Sequence, residues 1–184
     1  MEIIAVQPES GEGSPRFDVG DLVVHPHHGA GRVVSRRRRR LLGGGERGYL
    51  EIDLVDSPLK IMVPCESTAA VGLRAVAGPR RLARIVAVLE AEPDAALGNW
   101  SARQRHYRER LKGGDVLELA SIVRDLAVHA TESGLSARED DLYQRLRRLL
   151  ASELACALGV DAQHAVEYID EHVASRGRAR AASP

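Results

Sequence analysis

Gly78-Pro79-Arg80-Arg81-Leu82-Ala83-Arg84-Ile85-Val86-Ala87-Val88-Leu89 is where this chain changes its period. Pro79 suits the first position of a helix, where its missing N–H removes no hydrogen bond. Leu82, Ile85, Val86 and Leu89 then recur at helical spacing and form one apolar stripe. Upstream the pattern is different. Tyr49-Leu50-Glu51-Ile52-Asp53-Leu54-Val55 alternates, with Leu50, Ile52 and Leu54 on one face and Glu51 and Asp53 on the other. The chain reads as a β module followed by a helical module, an α+β protein of two domains.

The β module is expected over residues 16–68, behind a flexible tail at 1–15 rich in Glu, Gly, Ser and Pro. Leu22-Val23-Val24 is a short strand entering the turn His25-Pro26-His27-His28-Gly29. Gly31 to Arg40 is a second strand, and Leu41 to Gly48 is the hairpin connection, loosened by Gly43-Gly44-Gly45. After Ser57-Pro58, residues Leu59, Ile61 and Val63 share a face, leaving Lys60 and Met62 on the outward one. Short strands separated by Gly and Pro turns predict a small antiparallel β-barrel. His25, His27 and His28 lack an accompanying Cys or carboxylate set, so a turn held by imidazole hydrogen bonds is expected and no metal. Arg36 to Arg40 lies at the solvated end of the hairpin. Its charge faces either an acidic partner or water.

The helical module is expected over residues 76–174 as an all-α bundle of about five helices, followed by a disordered tail at 175–184. The second helix carries Arg103 to Lys112. Gly113-Gly114 ends it, and Asp115 caps a third whose Val116, Leu119, Val123 and Leu126 face inward. Ser136 with Glu139 forms a capping box that opens a long fourth helix. Asp161 caps the last, behind Gly159.

Gly98-Asn99-Trp100-Ser101 contains the only Trp of the 184 residues. Gly98 and Asn99 read as a turn, with Ser101 available as a cap. Arg103, Arg105, Arg108 and Arg110 follow within ten residues. Guanidinium groups beside a flat apolar ring suit DNA, where cations neutralise phosphates and a ring wedges at base steps. The competing reading, that Trp100 is core, stays open on these residues alone, because Trp is mostly buried.

Net charge is zero, but it is unevenly spread. Residues 67–112 carry nine basic side chains against four acidic, and from 113 onward eight arginines meet twelve acids. A basic middle beside an acidic end fits local nucleic-acid binding as well as an ordinary solvated surface. No apolar run spans a bilayer and no signal-peptide order opens the chain, so a cytoplasmic protein is expected. Cys65 and Cys156 are too few for a disulfide framework or a zinc site. No nucleophile elbow, phosphate loop or paired acids point to an enzyme, and no cofactor is expected. Asp140 and Asp141 are adjacent on a helix and project to different sides.

Phe17-Asp18-Val19-Gly20-Asp21-Leu22-Val23-Val24-His25-Pro26-His27-His28-Gly29 resembles the opening of the CarD/CdnL family of bacterial RNA polymerase-binding transcription factors. Asn99-Trp100-Ser101, Gly114-Asp115-Val116, Val123-Arg124-Asp125-Leu126 and Gly134-Leu135-Ser136-Ala137 continue the resemblance in order, across residues 16–158. The resemblance implies a Tudor-like N-terminal barrel that docks on the polymerase β subunit. It also implies a helical domain whose Trp wedges into the minor groove of promoter DNA at the upstream edge of the bubble, stabilising the open complex without reading a long sequence. On this chain the wedge falls on Trp100 and a basic partner on Arg105, with Arg103 and Arg108 beside them. The polymerase side falls on Arg39 with Arg37, and on the outward positions Lys60 and Met62. A monomer is expected. The chain departs from the family pattern at Met62, Ala102 and Gln104, where basic, basic and aromatic residues are usual. Two alternatives therefore stand: a divergent paralogue acting as a protein-interaction module, and a nonspecific DNA binder independent of polymerase.

Overall fold

The computed structural model describes residues 4–5, 16–40, 45–55, 57–94 and 98–181, with side chains at 16–40, 45–55, 57–94 and 98–175. The chain divides into two compact units, Met1–Val76 and Ala77–Pro184. Their apolar clusters share no residue. No helix among the described residues is long and apolar enough to cross a membrane.

The first unit is a six-stranded sheet. Its strands are β1 (Ile4–Ala5), β2 (Leu22–His25), β3 (Gly29–Arg39), β4 (Arg47–Leu54), β5 (Lys60–Pro64) and β6 (Arg74–Ala75), and their spatial order is β1-β5-β4-β3-β2-β6. β2 turns into β3 through a tight reversal in which the His28 N–H donates to the His25 carbonyl at 3.2 Å. β3 and β4 form the long hairpin. Val33 opposes Ile52 and Arg39 opposes Arg47, with one irregularity between Val33 and Ser35. Phe17, Val23, Val33, Leu50, Ile52, Ile61, Val63 and Leu73 fill the core, as the alternation predicts. The hairpin tip at 41–44 lies outside the described residues; Gly48, assigned to the connection by sequence, belongs to β4.

The closed barrel expected from sequence is corrected to an open sheet. β1 and β6 occupy opposite edges, and no pairing joins them among the described residues. Both are two-residue strands, too short to show a period, so sequence reading passed over them. β6 pairs with β2 through Arg74–Val24 and Ala75–Val23, which carries the unit to Val76, beyond the expected 68. β1 pairs in parallel with β5 from inside the stretch expected as tail; residues 1–3 and 6–15 lie outside the described residues.

The second unit holds α1 (Pro79–Glu90), α2 (Trp100–Leu111), α3 (Val116–Ser133), α4 (Ala137–Leu158) and α5 (Ala162–Ala181). Ile85, Leu89, Val116, Ile122, Val123, Leu126, Leu150, Leu154 and Ile169 are fully buried in one core. The caps of α3 and α4 fall where the residues place them. Asp115 accepts from the Leu117 N–H at 3.0 Å, Ser136 and Glu139 complete their box, and Gly159 ends α4 at φ 70°. The backbone of α5 continues past the expected end at 174 to Ala181, because Arg178-Ala179-Arg180-Ala181 is made of strong helix formers.

Two buried acids fix the frame around α3. Glu153 of α4 is fully buried and accepts from the Ala77 N–H at 3.1 Å, pinning the start of the unit. Arg124, 4% exposed, donates to Asp125 and to the Val88 carbonyl at 3.2 Å, closing the C-terminal end of α1. Burial raises the Asp125 carboxyl, against the opposing pull of Arg124. Asp125 in turn accepts from the Asp94 N–H at 3.2 Å and holds the approach to α2.

Candidate nucleic-acid interface

α2 is a polar helix, and Tyr107, 8% exposed, is its one buried residue. Its start is capped by Asn99, whose side-chain oxygen accepts from the Ala102 N–H at 3.0 Å. The cap is therefore Asn99 rather than Ser101, because Trp100 already has helical geometry and occupies the first helical position. Trp100 is half-buried there and is not part of the core cluster. Residues 95–97, immediately upstream, lie outside the described residues.

Helical periodicity separates the four arginines into two pairs. At about 100° per residue, Trp100 and Tyr107 project within about 20° of each other. Arg103 and Arg110 flank that inward side, and Arg105 and Arg108 turn away from it. Arg103, 14% exposed, donates to the Gly98 carbonyl at 2.9 Å and pairs with Glu139 of α4. Arg110, 18% exposed, donates to Glu118 at 2.5 Å, Ser121 at 2.5 Å and Asp94 at 3.1 Å. Arg105 and Arg108 are exposed, as is His106. Of the residues expected at DNA, Arg105 and Arg108 are exposed, Trp100 is half-buried on the Tyr107 side of α2, and Arg103 is engaged within the fold.

Glu139 is the residue that sequence reading left out of the site. The sequence pattern assigns it only to the capping box. In the structure it accepts from the Ser136 N–H at 3.0 Å and the Ser136 hydroxyl at 2.6 Å while also holding Arg103. Burial works to raise its carboxyl, but the Ser136 and Arg103 hydrogen bonds together outweigh burial and hold it at about 2. The signal was present in the helical wheel: Arg103 and Arg110 sit seven apart beside the buried Tyr107, where an arginine needs partners. A cavity of 260 Å³ lies between α2 and α3 beneath these residues, lined by Arg103, Tyr107, Arg110, Asp125 and His129 among others.

In the first unit, pairing settles which side chains share a face. Arg37 opposes Tyr49, Arg39 opposes Arg47, Glu51 opposes Met62, and Asp53 opposes Lys60. Directly opposed residues point the same way and faces alternate along a strand. Arg37, Arg39, Lys60 and Met62 therefore belong to one face. Arg37 and Arg39 are exposed. Lys60 bridges Asp53 at 2.9 Å and Glu51 at 3.7 Å, and the Asp53 hydrogen bond raises its pKa. Met62 is on the expected face but only 5% exposed, which corrects its assignment as an outward contact. β5 is an internal strand, with β1 paired on one side and β4 on the other.

The His25 turn is a structural device. His25 is 4% exposed, its Nδ1 accepts from the His27 N–H at 3.2 Å, and the His28 ring lies 4.7 Å away. Burial lowers its pKa to about 4, with His28 and His27 adding to the effect. The fold thus favours the neutral ring. Its contribution is full above the unfolded pKa of 6.5 and is lost as pH falls from there towards 4. The urea midpoint of the first unit should drop across that window, by at most about 3 kcal/mol of stability. A His25→Gln variant should lose most of that slope; an equal slope in both proteins contradicts the assignment.

The first unit is a sheet that presents exposed arginines from one long hairpin, and the second is a helical bundle whose α2 carries a half-buried indole and exposed arginines. Comparison with known proteins gives the family. Residues 17–77 match the family model for the CarD-like/TRCF RID domain, and residues 84–170 match that for the CarD C-terminal domain. YdeB of Bacillus subtilis (strain 168), whose name assigns it provisionally to the transcription factors, is 27% identical over 144 residues, covering 78% of this chain and 94% of YdeB. The chain belongs to the CarD/CdnL family of transcription factors.

Proposed function

We propose that this transcription regulator docks on the RNA polymerase β subunit through the Arg37 and Arg39 face of its sheet. From there it stabilises the promoter open complex by placing Trp100 in the minor groove at the upstream edge of the bubble. It acts as a cytoplasmic monomer and makes DNA contacts without sequence readout. The observation that carries this reading is the position of Trp100: first turn of a polar helix, outside the core, with Arg105 and Arg108 exposed on the same helix. Those two guanidinium groups supply phosphate contacts, each worth about 0.9 in the slope of log affinity against log salt. The wedge acts by difference. Only better binding to the unwound junction than to closed duplex shifts the equilibrium, and a preference of about 1.4 kcal/mol changes the ratio tenfold.

Reversing charge at both arginines, Arg37→Glu with Arg39→Glu, should remove the protein from core polymerase in a pull-down while leaving its circular dichroism unchanged. Both side chains are exposed, so the fold does not depend on them. Undiminished capture of polymerase by the double variant contradicts this docking face.

One observation favours a weaker DNA role. Arg103 is committed to Glu139 within the fold, so fewer cations beside Trp100 face outward than the family pattern places there. A protein-interaction module that lacks DNA contact would pull down polymerase normally and leave promoter opening unchanged.

A further inference from the structure

α2 has little apolar packing to hold it. Tyr107, 8% exposed, is its one buried residue, and a 260 Å³ pocket is lined by residues of both α2 and α3. Polar groups must therefore fix its angle and the placement of its first turn. Arg110 holds the C-terminal half through Glu118, Ser121 and Asp94. Among the described residues, the N-terminal half, which carries Trp100, is tied by its Asn99 cap and by Arg103. Arg103 reaches back from the first turn to the Gly98 carbonyl at 2.9 Å and across to Glu139 on α4. Glu139 is itself held by two contacts from Ser136, at 3.0 and 2.6 Å, and is 7% exposed. It is a rigid anchor.

We infer that Arg103 is a positioning residue, latching the Gly98–Trp100 corner to the capping box of α4 and so setting the direction in which the indole is presented. It acts through Trp100 rather than on DNA. The inference rests on Trp100 being the DNA-contacting group, but the latch itself exists without DNA. Charge on both partners is needed, because each removes the other from water and the pair is largely desolvated. Losing either partner frees the first turn of α2, with the bundle core, built from other residues, left in place.

The single Trp makes the latch directly readable in the free full-length protein. Arg103→Ala should raise acrylamide quenching of Trp100 about twofold and shift its emission to the red, with far-UV circular dichroism essentially retained. Glu139→Gln keeps an acceptor for Ser136 but removes the charge, and should produce the same optical change. Arg103→Lys should restore part of it. Arg138→Ala, which removes an exposed charge from the same end of α4, should leave quenching unchanged. The effects of Arg103→Ala and Glu139→Gln should not add in the double variant. Unchanged quenching in folded Arg103→Ala, or additive effects, overturns the latch. Should Arg103→Ala fail to fold, the comparison of Arg103→Lys with Glu139→Gln decides: native quenching in Glu139→Gln overturns it. Because no DNA or polymerase is present, failure here is distinct from failure of the proposed promoter role, which open-complex lifetimes report.

Discussion

Gly31→Ala is expected to unfold the first unit while leaving the helical unit intact. β3 runs between β2 and β4, and Gly31 lies opposite Val23 on one side and Leu54 on the other. A Cβ added at Gly31 falls inside van der Waals contact of the Asp53 carbonyl oxygen and 2.8 Å from Ile52 Cγ2. The first of these is backbone and has no rotamer through which to retreat. The hairpin must part or shift just where Val33 and Ile52 begin the core. Overpacking of this kind costs about 3 kcal/mol or more, a large share of what a small domain has. Since the two apolar clusters share no residue, the loss should stay local. Hydrogen exchange should show β3 and β4 amides losing protection while α3 and α4 keep theirs, and polymerase capture should fall with it. Native protection in β3 would mean that the strands are not as close as described.

Trp100→Ala is the second large effect, and it is functional rather than structural. Trp100 is half-buried and outside the core cluster, so the substitution should cost about 1–2 kcal/mol, less than a core Trp→Ala change, and leave the bundle folded. Polymerase binding should be unchanged, because the proposed docking face, at Arg37 and Arg39, lies in the other unit. The lifetime of the promoter open complex under competitor challenge should fall about tenfold, the loss expected when a junction preference near 1.4 kcal/mol is removed. An unchanged lifetime with normal polymerase binding supports a purely protein-binding role for the chain.

Much of this was legible in the residues. The alternation at Tyr49–Val55, Pro79 at the head of α1, Asp115, the Ser136–Glu139 box and Gly159 each state a local rule that the fold obeys, and five helices follow from them. What escaped was non-local. β1 and β6 are too short for periodicity and exist only through their partners, so an open sheet was read as a barrel and the boundary fell before Val76. Alternation puts Met62 on the correct face, but alternation along one strand does not show how far that face is covered. The arginines after Trp100 look equivalent in composition. Only their angle around α2 separates Arg105 and Arg108 from Arg103 and Arg110, and the partners of the latter pair include residues on α3 and α4. Composition locates the cluster of cations, and the fold decides which of them remain free to meet an anion.

The sole Trp allows the central claim to be tested on one atom. Protein grown with 5-fluorotryptophan carries a single fluorine resonance, at Trp100. With core polymerase and a promoter bearing a pre-opened bubble, that resonance should move to a new position. It should stay where it is with polymerase and closed duplex. A resonance that is the same in the free protein, on closed duplex and on the open bubble would show that the indole does not meet DNA at the junction.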